Sequence, residues 1–121
     1  MIIACTGNYR KSQFFNVVNS ISNYFVKYNS DIEIMLSDDF EKELDAPNLN
    51  KIIKVDNFMN CIKNSDLVLS IGGDGTILST IRRIGNNPMP VLGVHIGNLG
   101  FLAQATKENI NQALECLVNK N

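Results

Sequence analysis

A single carboxylate stands inside a turn whose other residues suit anions: Gly72-Gly73-Asp74-Gly75-Thr76. The apolar run Leu67-Val68-Leu69-Ser70-Ile71 precedes it, and Ile77-Leu78-Ser79-Thr80-Ile81 follows with helical spacing. This order reads as buried strand, glycine turn and helix start. The first N–H groups of a helix lack intrahelical partners and carry the positive end of its dipole, so the turn offers itself to phosphate. A carboxylate there would repel phosphate unless it has a task, such as accepting or orienting the proton of an attacking hydroxyl. Asp74 suits that task, with N–H groups from Gly73 to Thr76 and the Thr76 hydroxyl beside it. The plain alternative is a turn residue in the left-handed conformation, which aspartate tolerates. The segment is neither a G-x-x-x-x-G-K-[ST] phosphate loop, since no lysine follows the glycines, nor G-x-G-x-x-G.

A second glycine-bearing loop, His95 to Ala103, follows a further apolar run, Pro90-Val91-Leu92-Gly93-Val94. Seven of the eight glycines fall between Gly72 and Gly100, so unusual backbone freedom is concentrated at two successive strand ends. Glycine serves there where a ligand must approach the backbone closely. His95, the single histidine, reads as loop scaffolding with a hydrogen-bonded imidazole. Arg82 and Arg83 read as solvated residues of the helix after the first loop. Asp38, Asp39, Glu41, Glu43 and Asp45 read as a solvated acidic loop rather than a metal site.

The elements that must position these residues alternate. Ile2 to Thr6 reads as a strand ended by Gly7-Asn8. Phe14, Val18, Ile21, Phe25 and Tyr28 form a helical stripe over about Ser12 to Tyr28. Ile32 to Leu36 alternates like a strand, Phe40 to Leu44 suits a helical turn closed by Pro47, and Ile52, Ile53 and Val55 suit either a short strand or a packed loop. Phe58, Met59 and Ile62 imply a short helix. Ile77, Leu78, Ile81 and Ile84 share one helical face that Gly85-Asn86 closes. Thr106 is placed to cap a last helix whose apolar face is Ile110, Ala113, Leu114 and Leu117. Strands separated by helices argue for an α/β fold with an open, mainly parallel sheet and right-handed crossovers.

A chain of 121 residues suits one domain with a real core. The net charge of −1 argues against nucleic acid or an anionic membrane as partner. Cys5, Cys61 and Cys116 are scattered and odd in number, which favours a reducing, cytoplasmic setting over a disulfide framework or a zinc site. No apolar run approaches membrane-spanning length. The abundance of asparagine reads as composition rather than function.

Gly72-Gly73-Asp74-Gly75-Thr76 followed by Ile77-Leu78 resembles the GGDGT signature of the superfamily of NAD kinases, diacylglycerol kinases and 6-phosphofructokinases. Gly93-Val94-His95-Ile96-Gly97-Asn98-Leu99-Gly100-Phe101-Leu102 is similar to the G-[VI]-[NH]-x-G-x-L-G-F-L element of NAD kinases. The two motifs, about twenty residues apart, together point to that family. The resemblance implies a Rossmann-like N-terminal domain and transfer of a phosphoryl group from ATP, or polyphosphate in some members, to the 2′-hydroxyl of the adenosine ribose of NAD. It implies a divalent metal, usually Mg²⁺, with the donor. It makes Asp74 the catalytic acid/base, Gly75 a backbone contact to NAD, and Phe101 a flank for the adenine. Gly72, Gly73, Thr76, Gly97, Asn98 and Gly100 then shape the two loops. The family carries a second, β-rich domain that completes the NAD site and joins subunits into dimers or tetramers. No segment after Gly100 matches it. Residues 1–121 are therefore expected to be an N-terminal domain cut from a longer two-domain protein and inactive alone. The alternatives are a GGDGT kinase acting on a lipid or sugar phosphate, which leaves the second motif unexplained, and a nucleotide-binding module without catalysis.

Overall fold

In the computed structural model the described residues are 1–28, 31–40, 49–50, 52–96, 105–106, 112 and 115. They form strand β1 (Ile2–Gly7), helix α1 (Gln13–Tyr28), strands β2 (Glu33–Ser37) and β3 (Lys54–Asp56), helix α2 (Phe58–Asn64), strand β4 (Leu67–Gly72), helix α3 (Asp74–Ile84), and strands β5 (Val91–His95) and β6 (Ala105–Thr106). The six strands make one sheet in the order β3-β2-β1-β4-β5-β6, and every pairing is parallel. The direction in which successive strands are added to the sheet reverses between β1 and β4. Right-handed crossovers running outward from that point must lay their helices on opposite faces.

The side chains obey this geometry. On one face Ile3, Cys5, Ile34, Leu36, Leu69, Ile71 and Val94 meet Phe14, Val18, Ile21 and Phe25 of α1. On the other, Ala4, Met35 and Val68 meet Phe58, Cys61 and Ile62 of α2 and Ile84 of α3. β4 is buried along its whole length, which is why it reads as an unbroken apolar run rather than an alternation. Tyr28, expected to close the α1 stripe, is exposed instead. The helix ends there, and the Lys27 ammonium lies 5.1 Å from the ring centroid.

The segment between Ile52 and Val55 resolves into a short strand, with Ile53 buried just ahead of it. Asn57 caps α2 by accepting a hydrogen bond from the Asn60 backbone N–H at 2.9 Å. Three further asparagines join two elements. The Asn50 backbone N–H donates to Asn19 Oδ1 at 3.0 Å and its Nδ2 donates to Asn23 Oδ1 at 2.7 Å, tying the approach to β3 onto α1. The expected turn over Phe40 to Leu44 and the expected apolar face Ile110, Ala113, Leu114 and Leu117 lie largely or wholly outside the described residues. Thr106, expected as a helix cap, ends β6 in register with His95. No helix among the described residues is long and apolar enough to cross a membrane.

Burial raises both described thiols, Cys5 to about 12 and Cys61 to about 11. They are core residues held as thiols, not nucleophiles.

Candidate functional site

β4 delivers the glycine turn to the carboxyl edge of the sheet. Gly73 is the N-cap of α3 and uses no side chain for the purpose. Asp74 is the first residue of the helix proper, half-buried, and no non-glycine residue among those described has positive φ. The left-handed turn reading of Asp74 is thereby removed. Its carboxylate sits in the first turn, where the helix dipole favours negative charge.

The three glycines have different reasons to be glycine. A Cβ on Gly72 would lie 2.6 Å from Thr76 Oγ1 and 2.7 Å from Thr76 Cβ, so this position lets α3 close onto the end of β4. A Cβ on Gly73 or on Gly75 would meet nothing within 4 Å among the described residues. Internal packing does not demand glycine at those two, and their backbone is open to approach from outside.

α3 is held against the sheet by a buried polar relay. Thr80 Oγ1 donates to the Thr76 carbonyl at 3.0 Å. Its single proton is thus spent, so in the 2.8 Å contact with Ser70 Oγ the serine donates. This explains a serine in the middle of a wholly buried strand. It also corrects the expected helical face: Ile77, Thr80 and Ile84 are buried, while Leu78 and Ile81 are 43% and 48% exposed. The relay holds Thr80 against Ser70 of β4 and leaves Leu78 and Ile81 outward.

An open cavity of about 340 Å³ lies where β1 and β4 run side by side, lined by Thr6 to Arg10 and by Gly75, Thr76, Ser79, Thr80 and Arg83. This is the point of reversed strand order, outside the carboxyl ends of the strands, where open α/β sheets bind ligands. Five hydroxyl-bearing residues (Thr6, Tyr9, Thr76, Ser79 and Thr80) and two arginines line it. The loop after β1 is tightly drawn: the Asn8 N–H donates to the Ile71 carbonyl at 2.9 Å, and Asn8 Oδ1 accepts from the Arg10 N–H at 3.2 Å. Asp74 does not line this cavity. It lies one residue around the helix from Gly75, on the side toward Leu78 and Ile81.

Arg83 is exposed but not merely solvated. Its NH1 and NH2 donate to Asp39 at 2.8 and 3.1 Å, and its guanidinium carbon lies 3.8 Å from the centroid of the Phe58 ring. Asp39 also accepts from Ser37 Oγ at 2.7 Å. The hydrogen bond from Arg83 holds the Asp39 carboxyl below its usual range, against partial burial, with Ser37 assisting. A lowered carboxyl stabilises the folded form above its unfolded value of about 3.9 and loses that contribution as pH falls through the folded value. Titration of the Asp39 carboxyl carbon by NMR should read a midpoint below about 3.9, returning toward it in Arg83→Gln. An ordinary midpoint in the wild-type chain would contradict the pair.

His95 ends β5 in register with Gly72, and the Ile96 N–H donates to the Gly72 carbonyl at 3.0 Å. The second loop therefore leaves the sheet beside the first. The imidazole is buried, and neither ring nitrogen has a hydrogen-bond partner among the described residues, unlike the bonded scaffold expected. Gly97, Asn98, Gly100 and Phe101 lie outside the described residues. Among the described residues there is no group of three His, Cys, Asp or Glu able to hold a metal. Of the acidic cluster, Glu41, Glu43 and Asp45 lie outside the described residues, and Asp39 is paired with Arg83 rather than merely solvated.

Sequence reasoning missed the contribution of β1. Thr6, Gly7, Asn8, Tyr9 and Arg10 form half of the cavity wall, and Gly7 stands 65 residues before Gly72. The isolated glycine with positive φ at the end of the first strand was the available signal.

Comparison with known proteins agrees with this architecture. The NAD kinase of Flavobacterium johnsoniae is 34% identical over 127 aligned residues, covering 100% of this chain and 41% of that protein. Among solved structures, yeast NADH kinase complexed with NADH superposes with a TM-score of 0.81 at 20% identity, over 98% of this chain and 38% of that one. An NAD kinase from Archaeoglobus fulgidus in complex with ATP has a TM-score of 0.64 at 25% identity, over 99% of this chain and 38% of that one. The chain thus spans about two fifths of the length of these relatives. The family model described as ATP-NAD kinase N-terminal domain matches residues 9–121, and the chain belongs to the NAD kinase family.

Proposed function

We propose that this chain supplies one half of an NAD kinase active site, in a longer protein that transfers a phosphoryl group from ATP to the 2′-hydroxyl of the adenosine ribose of NAD. The observation that carries the reading is the open cavity at the β1–β4 junction, where hydroxyls, two guanidinium groups and the open backbone of Gly75 face one space. Such a wall suits a chain of phosphates. Family membership and the named relatives, one solved with NADH and one with ATP, support the two substrates.

Asp74 opens α3 one residue before Gly75, which lines the cavity. In the proposed step its carboxylate takes the proton of the ribose hydroxyl. The hydroxyl oxygen forms a bond to the terminal phosphorus of ATP, the bond from that phosphorus to the bridging oxygen breaks, and ADP leaves. The N–H groups of the first turn of α3 face the charge on the transferred group, and preorganised donors of this kind supply much of the rate of such reactions. Gly75 offers its backbone to NAD, and Phe101 flanks the adenine. A divalent metal, Mg²⁺, would accompany the phosphates of the donor and neutralise part of their charge. The complete protein is further proposed to be cytoplasmic and a homodimer or homotetramer.

The test is direct. The polypeptide completed to the relatives' length should form NADP from NAD and ATP, and the 121-residue chain alone should form none above background. NADP formation by the short chain would overturn the half-site. Phosphorylation of diacylglycerol or a sugar phosphate instead of NAD by the long one would overturn the acceptor.

A further inference from the structure

Arg83 comes from the last turn of α3, yet it lines the same cavity as Gly75 and Thr76 of the first turn. A long side chain reaching back along a helix ordinarily samples many rotamers. This one is gripped by residues from two other elements. Asp39, just past β2, takes two of its N–H groups, Phe58 at the start of α2 lies against its plane, and Ser37 holds Asp39 in turn. An ion pair this exposed contributes little to folding, so stability does not account for the arrangement. Two of five N–H groups are used on Asp39, which leaves three for the cavity. A fixed planar fork matches phosphate oxygens in a way that a mobile cation does not.

We infer that Asp39 and Phe58 are positioning residues that hold Arg83 as a preset guanidinium arm for a linear phosphate chain bound in the β1–β4 cavity. This rests on reading that cavity as the donor's phosphate site. The inference has an unusual sign. Asp39 places a negative charge at the rim of an anion site, so by charge alone its removal should tighten anion binding. By positioning, its removal should weaken it.

The 121-residue chain should be titrated with sodium tripolyphosphate and, separately, with MgATP, read by calorimetry and by amide shifts at Asn8, Arg10, Gly75 and Ser79. Both probes are expected to move these amides. Arg83→Lys keeps the charge and loses the fork, and should weaken both probes about tenfold. Asp39→Asn should weaken both several-fold while the unfolding temperature stays close to wild type. If that variant folds poorly, Ser37→Ala loosens the same carboxylate without changing charge and should act in the same direction. Unchanged or tighter binding in a folded Asp39→Asn or Ser37→Ala overturns the positioning role and leaves the cavity assignment standing. Absence of shifts at the four amides with tripolyphosphate overturns both, including the case where MgATP binds through its base and ribose alone.

Discussion

Replacing Gly7 by alanine is expected to cost about 4 kcal/mol of stability, read as a fall in the midpoint of urea unfolding. Gly7 has φ +145°, a region that disfavours side chains, and an added Cβ would lie 2.0 Å from the Ile71 carbonyl oxygen. Neither neighbour can step aside. Ile71 is a fully buried residue of β4, paired with Gly7 in the sheet, and its carbonyl accepts the Asn8 N–H at 2.9 Å. The substituted chain must lose that hydrogen bond, part β1 from β4 or distort both. A domain of this size has on the order of 5–15 kcal/mol in total, so the loss is a large share of it. The cavity would go with it, because this junction is its floor. Gly75→Ala is the control. Its Cβ meets nothing within 4 Å among the described residues, so stability should change by about 0.5 kcal/mol or less. A Gly7→Ala chain as stable as wild type would show that the close approach of β1 and β4 is not as described.

The second large effect is on chemistry. In the protein completed to the relatives' length, Asp74→Asn should lower kcat by about 10²- to 10⁴-fold, with KM for NAD much less affected. The substitution keeps the shape of the side chain and removes its ability to take a proton. The fold should survive, because loss of a charge from the first turn of a helix costs only about 0.3–1 kcal/mol. Activity and unfolding therefore separate cleanly. Wild-type rates in this variant would remove Asp74 from the reaction and leave the α3 turn a binding element only.

The two substitutions probe different kinds of information. Asp74 was legible because strand, turn, acid and helix start are contiguous, and their roles follow from local rules about helix N-termini and glycine. The structure sharpened it by placing the acid as the first helical residue rather than in a left-handed turn. Gly7 was legible only as a strand end. Its importance comes from Ile71, 64 residues further along the chain, whose carbonyl presses against its Cα.

Arg83 and Asp39 show the same division. Each reads locally as a solvated charge, and their side chains are 43% and 34% exposed. What joins them is that β2 and α3 present their ends on one side of the same sheet, a fact no window of sequence contains. The expected apolar face of α3 failed for a related reason. Periodicity counts hydrophobic residues, but the helix is oriented by the Ser70–Thr80–Thr76 relay, whose members are polar and score against burial.

By itself, then, the sequence determined the alternation of strands and helices, the parallel sheet, the two glycine loops and the acid between them. These follow from backbone sterics and from periodicities of two and about 3.6, which act over a few residues. Only the tertiary structure decided the order β3-β2-β1-β4-β5-β6, and with it the cavity between the first strand and the fourth. Buried parallel strands carry nearly interchangeable apolar runs, so which strand lies beside which is settled by the packing of the whole core on both faces of the sheet.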